Sequence, residues 1–266
     1  MTSSPPLVSR AVLDLNAHIL PGLHAASPDA ATALDAARAL VGAGVTAAVT
    51  PALCAHDPAA EMRTADEARH ELGQALAEAG IPLDVLPGAV VPFDLLPSLT
   101  PDQLAHATLG GSGRWLMVAL PESGWPLRIG DLMRGLDMAG LGLVIAHPEQ
   151  SESVQRSPDR LRDVLGRGAL VQVSAGSLAG AHGPRAERSA FDLLRNGMVT
   201  VVASDAPSKA GNGRDLSAAA AAVESVLRRP PEQVSWMFDE GPRAIAGGLA
   251  VRPPRLVPVP REARSS

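Results

Sequence analysis

Three side chains that can bind a metal ion stand at the predicted carboxyl ends of separate strands. They are His18, His147 and Asp205. Imidazole nitrogens and a carboxylate together suit manganese, iron or zinc, and an ion held by them can activate a water molecule for hydrolysis. A single histidine at a strand end is more often a hydrogen-bonded structural residue. Three such residues on separate strands instead favour one shared site.

The elements that would position these residues alternate along the chain. Short apolar runs predict strands at residues 11–18, 45–51, 83–91, 114–121, 142–149, 169–176 and 198–206. Most of these runs are continuously apolar, which is typical of parallel strands covered on both faces. Helices are predicted between them, at residues 27–44, 57–79, 129–139, 157–165, 184–195, 214–227 and 231–238. A capping residue followed by proline marks four predicted helix starts, at Ser27, Asp57, Thr100 and Ser157.

This alternation predicts a single α/β domain, built as a barrel of about seven parallel strands. An open doubly wound sheet also fits the alternation, but no glycine-rich nucleotide-binding loop follows any predicted strand. The barrel is predicted to span residues 11–250, between an N-terminal extension at 1–10 and a proline- and arginine-rich tail at 251–266. Barrels of this kind carry their functional site at the carboxyl ends of the strands.

Composition excludes several classes of function. The net charge is −5 and no basic stripe is present, so nucleic acid is not an expected partner. No apolar run approaches the 18 residues of a membrane span, and the N-terminus lacks the pattern of a secretory signal, which favours the cytoplasm. The lone cysteine, Cys54, excludes an internal disulfide and a cysteine zinc site. It follows the second predicted strand and is more typical of a small buried residue than of a nucleophile.

Four segments in a fixed order identify a resemblance. They are residues 14–23, 144–149, 171–180 and 202–206, and the most specific are the His-Ile-Leu-Pro-Gly opening and the Ala-His-Pro-Glu block. Together they resemble the bacterial protein-tyrosine phosphatases of the polymerase and histidinol phosphatase (PHP) superfamily. The resemblance runs from about residue 13 to about residue 246. It implies a PHP-type distorted (β/α)7 barrel with a trinuclear manganese centre, and a role in capsule or exopolysaccharide synthesis.

The sequence keeps only part of the family's ligand set. The resemblance assigns retained metal positions to His18, His147 and Asp205, and Arg214 is the loose counterpart of a phosphate-binding catalytic arginine. Other ligand positions carry residues that differ from the family pattern, namely Asn16, Ala25, Ala52, Val90 and Pro207. Gln150 stands where the Ala-His-Pro-Glu block continues with arginine in the family. Loss of the bridging glutamate at Val90 removes the charge that would hold two cations close together.

Three hypotheses follow. In the first, the chain is a catalytically degenerate relative of these phosphatases that acts as a regulatory or binding protein. Its partner would be a tyrosine kinase or a polysaccharide-export protein, and one residual manganese or other divalent ion would replace the full trinuclear site. In the second, it is an active metal-dependent phosphotyrosine phosphatase or phosphoesterase whose ligands are rearranged, with His24 and His56 as substitutes. In the third, it is a hydrolase of another barrel superfamily.

Two further sets of residues are of types that can take part in catalysis. Glu122 and Glu149 lie at the ends of neighbouring predicted strands, and two carboxyl groups can act as a general acid and base. Ser177 follows a glycine at a strand end, but no Gly-x-Ser-x-Gly turn surrounds it. A serine nucleophile is therefore not predicted.

Overall fold

Parallel strands surrounded by helices form the chain in this computed structural model, which describes residues 12–25, 27–121, 124–205, 216–227 and 234–251. The strands are β1 Val12–Asp14, β2 Val45–Val49, β3 Ala52–Leu53, β4 Asp84–Leu86, β5 Ala89–Pro92, β6 Trp115–Ala119, β7 Gly142–Ala146, β8 Leu170–Ser174 and β9 Val201–Ala203. Every paired strand in these residues is parallel to its neighbour. The extension at 1–10 and the tail after residue 251 lie outside the described residues.

Helices follow the strands and cover the outside of the sheet. They are α1 Ala30–Gly42, α2 Pro58–Glu78, α3 Pro101–His106, α4 Ile129–Met138, α5 Glu152–Arg156, α6 Arg160–Leu165, α7 Ala175–Leu178, α8 Gly183–Arg195, α9 Leu216–Leu227 and α10 Glu240–Ala246. Short 3-10 helices occur at Phe93–Ser98, Leu109–Gly111 and Pro148–Gln150. Among the described residues, no helix is both long enough and apolar enough to cross a membrane.

The barrel is distorted because proline interrupts two of its strand paths. The strand ladders run in the orders β1-β2-β4 and β3-β5-β6-β7-β8-β9. Pro51 separates β2 from β3, and Pro87 separates β4 from β5, where each ring removes a backbone donor. The predicted third strand at 83–91 is therefore wrong as one continuous element. Single hydrogen bonds still cross the interruption, from the Thr50 N–H to the Leu86 carbonyl and from the Ala52 N–H to the Gly88 carbonyl, both 2.9 Å.

The continuously apolar strands are explained by two separate hydrophobic cores. Along β7, Val144 and Ala146 face the inner core of the barrel, whereas Leu143 and Ile145 pack in the outer core against the helices. Successive side chains of a strand point to opposite faces, so a strand that is buried on both faces must be apolar throughout. The distorted (β/α)7 barrel predicted from the sequence is confirmed.

The predicted helix starts are correct in two of four places. Asp57 caps α2 by accepting from the Ala60 N–H at 3.1 Å, and Thr100 caps α3 with a full capping box. The prediction at Ser27 is wrong, since Asp29 caps α1 and accepts from the Thr32 N–H at 2.8 Å. Ser27 instead closes the preceding turn through its N–H, which donates to the His24 carbonyl at 2.8 Å.

Ser157 does not cap α6 either. That helix begins at Arg160, after Asp159, and no side-chain hydrogen bond caps it. The predicted helix at 231–238 lies partly outside the described residues.

Candidate functional site

His147 and Asp205 share an unusual backbone conformation. Each follows a strand, β7 and β9 respectively, and within the described residues these two are the non-glycine residues with positive φ, at 31° and 45°. The strands therefore end earlier than predicted, because the chain turns away from the sheet at these positions. A left-handed conformation costs about 1 kcal/mol or more for a residue with a side chain, and such strain is concentrated at functional sites.

The three predicted ligands converge. The Nε2 atoms of His18 and His147 each lie 4.0 Å from Oδ1 of Asp205. His18 and Asp205 are buried, and burial lowers the pKa of the His18 imidazole. Burial alone would raise the pKa of Asp205, but the neighbouring His147 and His18 outweigh it and hold that pKa below its ordinary value. The cluster therefore favours an ionised Asp205 carboxylate.

Two side-chain amides occupy the Asp205 carboxylate. Asn16 donates from Nδ2 to Oδ1 of Asp205 at 3.1 Å, and Gln150 donates from Nε2 to Oδ2 at 3.2 Å. The other end of the Asn16 amide lies 3.0 Å from Nε2 of His18, which donates to its oxygen in the matching tautomer. A nitrogen that carries this proton has no lone pair left for a metal. Asn16 and Gln150 both stand at positions where the sequence departs from the family pattern.

The metal centre that the resemblance implies needs several donor side chains close together. In the part of the chain that the structure describes, no three His, Cys, Asp or Glu side chains form a group that could hold a metal ion. Ala52 and Val90, at two replaced positions, are buried and offer no donor atom. These residues do not fit a multinuclear centre.

The two substitute histidines do not fill the gaps. His24 accepts from the Leu20 N–H through Nδ1 at 3.0 Å, and its Nε2 donates to the Pro51 carbonyl at 3.2 Å. Both ring nitrogens are thus committed to the backbone, and burial together with the adjacent His18 lowers the pKa of His24 to about 3. The side chain of His56 is 92% exposed, with Nδ1 3.9 Å from Oε1 of Glu61. A role for His24 and His56 as replacement ligands is therefore not supported by their geometry.

Glu149 is buried and accepts a hydrogen bond from the backbone at the end of β8. Its Oε1 accepts from the Ser174 N–H at 3.0 Å, and its side chain is fully buried. Burial raises the pKa of Glu149 to about 7, against the opposing effects of His147, Ser177 and Ser174. Glu122, the predicted partner of Glu149 in acid–base catalysis, lies outside the described residues.

The two nucleophile candidates are buried. Ser177 is fully buried, and its hydroxyl lies 3.1 Å from Nδ1 of His182. Burial, with a contribution from Glu61, raises the pKa of Cys54 to about 12. A thiol with that pKa is almost entirely protonated at neutral pH, so Cys54 is a small core residue.

Arg214, the predicted phosphate-binding residue, lies outside the described residues. Two further polar residues of the site, Asp14 and Gln172, were not predicted from the sequence. Asp14 is fully buried at the end of β1, where Oδ1 accepts from the N–H groups of Asn16 at 3.2 Å and Ser204 at 3.0 Å. Gln172 is buried inside β8 and accepts from Nδ2 of Asn16 at 3.4 Å. The available signal was a polar residue within, or at the end of, an otherwise apolar strand, since such a residue needs a hydrogen-bond partner.

The parallel strands, with a polar cluster at their carboxyl ends, define an α/β barrel with its candidate site at the usual end of the barrel. The sequence profile described as capsular polysaccharide synthesis, CpsB/CapC, matches residues 12–240. The chain belongs to the CpsB/CapC family, which confirms the resemblance seen in the sequence. An origin in an unrelated barrel superfamily, the third hypothesis, is thereby wrong.

Individual relatives agree with this assignment. The chain is 30% identical over 202 residues to the tyrosine-protein phosphatase YwqE of Bacillus subtilis (strain 168), covering 73% of this chain and 77% of that protein. It is 30% identical over 95 residues to the putative tyrosine-protein phosphatase CapC of Staphylococcus aureus, covering 36% of this chain and 37% of that protein.

Solved structures share the barrel. One match belongs to the crystal structures of YwqE from Bacillus subtilis and CpsB from Streptococcus pneumoniae, described as unique metal-dependent tyrosine phosphatases. Its TM-score is 0.79 at 24% identity, covering 94% of this chain and 100% of that chain. A mutant organophosphorus hydrolase from Deinococcus radiodurans matches with a TM-score of 0.51 at 15% identity, covering 91% of this chain and 94% of that chain. These likenesses show the fold.

Proposed function

We propose that the chain is a catalytically degenerate member of the CpsB/CapC family that acts as a regulatory or binding protein in capsule or exopolysaccharide synthesis. The observation that carries this proposal is the pair of amides on the Asp205 carboxylate. Asn16 and Gln150 supply the hydrogen bonds that satisfy both carboxylate oxygens at 3.1 and 3.2 Å. A buried carboxylate needs either a cation or donors of this kind, and here the donors come from the chain itself.

The same contacts limit metal binding. One divalent ion, manganese or another, at His18, His147 and Asp205 would have to displace the Asn16 and Gln150 amides from the carboxylate. Each of these hydrogen bonds to a charged carboxylate is worth about 1.5–3 kcal/mol, and losing them weakens binding of the ion accordingly. Val90 and Ala52 provide no ligands for a second or third ion. We therefore propose at most one weakly bound ion per chain.

The family assignment supports a proposal for the binding partners of the chain. A protein that keeps the barrel but loses the metal chemistry can still bind the partners of an active relative. We propose a tyrosine kinase or a polysaccharide-export protein as the partner, met in the cytoplasm. Arg214 remains the proposed phosphate-contacting residue. The alternative, an active phosphatase with rearranged ligands, is weakened by the backbone hydrogen bonds of His24 and by the 92% exposure of the His56 side chain.

A phosphatase assay tests this proposal. We expect the purified chain with Mn²⁺ to hydrolyse a phosphotyrosine peptide more than about 100-fold more slowly than the Bacillus subtilis relative, because even outer contacts of a metal site are worth about 10–100-fold. Asp205→Ala serves as the matched control and should have the same residual rate as the unmodified chain. Manganese-dependent turnover that Asp205→Ala abolishes would refute the proposal.

A further inference from the structure

A groove between α5 and α8 lies beside the barrel mouth. It encloses about 400 Å³ and is lined on one side by Arg156 and on the other by Arg185 and Arg188. The groove is connected to the polar cluster at the mouth through Gln150, whose Nε2 donates to Nδ1 of His182, the residue that precedes α8. None of the three predicted metal ligands lines this groove.

The carboxylates of the groove have their own cationic partners. Glu152 pairs with Arg156 along α5, and Asp192 pairs with Arg195 along α8, with a nitrogen–oxygen distance of 3.4 Å. Arg185 and Arg188 form no ion pair with a carboxylate of the described residues. Three arginines and two carboxylates line the groove, so its net charge is about +1 in a chain whose net charge is −5.

The position of these arginines on α8 is unfavourable for the helix itself. Arg185 lies in the first turn and Arg188 one turn later on the same face, and that first turn contains no acidic residue. The amino end of a helix carries partial positive charge, so cations there reduce helix stability. A bound anion would reverse this repulsion and use the same partial charge as an attraction.

Ser189 adds an unsatisfied donor to the floor of the groove. It is 6% exposed, and its hydroxyl has no hydrogen-bond partner in the described residues. A buried hydroxyl without a partner carries a cost of about 1–3 kcal/mol. Ser189 is among the residues that line the groove.

We propose that the α5–α8 groove is a binding site for a phosphoryl group. Arg185 and Arg188 can both bind a phosphate monoester, whose charge is about −1.5 to −2 at pH 7, and their planar forks suit its several oxygens. The groove binds this group through Arg185 and Arg188, with Arg156 on the opposite wall. The site is separate from the Asp205 cluster, so it does not depend on whether the barrel mouth binds metal or catalyses hydrolysis.

Calorimetric titration of the full chain at low ionic strength tests the site. The probes are inorganic phosphate and a short peptide with and without a phosphorylated residue. Inorganic phosphate and the phosphorylated peptide should bind saturably, and the unphosphorylated peptide should not. Equal affinity for the two phosphates identifies the group alone as the ligand, whereas tighter binding of the peptide identifies a phosphoprotein as its source.

Two double variants locate the binding. Arg185→Ala with Arg188→Ala should weaken phosphate binding by about tenfold or more, since charge-assisted hydrogen bonds are lost. Arg128→Ala with Arg134→Ala removes the same charge from the exposed start and middle of α4, where both arginines pair with Asp131, and should change the affinity less than about twofold. Circular dichroism confirms that both variants are folded. Absence of saturable binding, or equal weakening by the two variants, would overturn the proposal.

Discussion

Replacement of Asp14 by alanine is expected to lower the free energy of unfolding by about 2–4 kcal/mol, because two buried N–H groups lose their acceptor. Strands β1 and β9 are not joined by a sheet ladder in the described residues. Their ends are instead joined through Oδ1 of Asp14, which accepts from the Asn16 and Ser204 N–H groups, and through the Asp205 N–H, which donates to the Asn16 carbonyl at 3.0 Å. Urea denaturation measured by circular dichroism gives the difference.

Asp14→Asn is the matched control. It keeps an acceptor oxygen in the same place and removes a buried carboxyl whose pKa burial raises against the opposing hydrogen bonds of Ser204 and Asn16. We expect it to cost less than the alanine variant, because both backbone donors stay satisfied, while its amide nitrogen takes the place of Oδ2, which has no hydrogen-bond partner in the described residues. Equal losses in the alanine and asparagine variants would mean that the oxygen of Asp14 does not hold the two strands together.

Replacement of Gly110 by alanine is expected to cost about 2–5 kcal/mol. Gly110 has a φ of 67°, and a Cβ at this position would lie 2.3 Å from the carbonyl oxygen of Ala246 in α10. The left-handed backbone contributes about 1–2 kcal/mol and the forced displacement of the neighbouring helix about 1–3 kcal/mol. Helix α10 contributes Ile245 and Ala246 to the inner core of the barrel, so this displacement also loosens the core. Thermal and urea unfolding measure the loss.

Gly113→Ala separates the two contributions. Gly113 has a similar φ of 72°, but a Cβ there would meet no atom within 4 Å. This control should therefore cost only the backbone part, about 1–2 kcal/mol. If both variants lose the same stability, the close contact between Gly110 and Ala246 is not present in solution.

The layered barrel was predictable because its physical signal is carried by every strand. Apolar residues at successive positions of β6 and β7 require burial on both faces, and such strands pair in parallel beneath helices. The capping residues Asp57 and Thr100 also carry a local signal, since a side-chain acceptor and a following proline act within one turn. Ser27 shows the limit of that signal. A competing turn with His24 determines its place, and that turn depends on the fold.

The polar network of the site was less predictable, because its partners are distant in sequence. Asn16 and Asp205 are separated by 189 positions, and the sequence indicates only that Asn16 stands where the family has histidine. Nothing in the residue type shows that its amide bridges His18 and Asp205. The contact between Gln150 and Asp205 was equally hard to predict, since it depends on the left-handed turn at His147. The sequence thus predicted which side chains converge, but not that amides occupy the carboxylate.

Titration of the metal-free chain with Mn²⁺, followed by calorimetry, tests the central claim most directly. With Asn16 and Gln150 bound to Asp205, we predict at most one ion per chain and a dissociation constant weaker than about 0.1 mM, since the ion must displace two hydrogen bonds to the carboxylate, each worth about 1.5–3 kcal/mol. Asp205→Asn is the control and should abolish this weak binding. Two or three ions bound per chain at micromolar concentration or below would contradict the account.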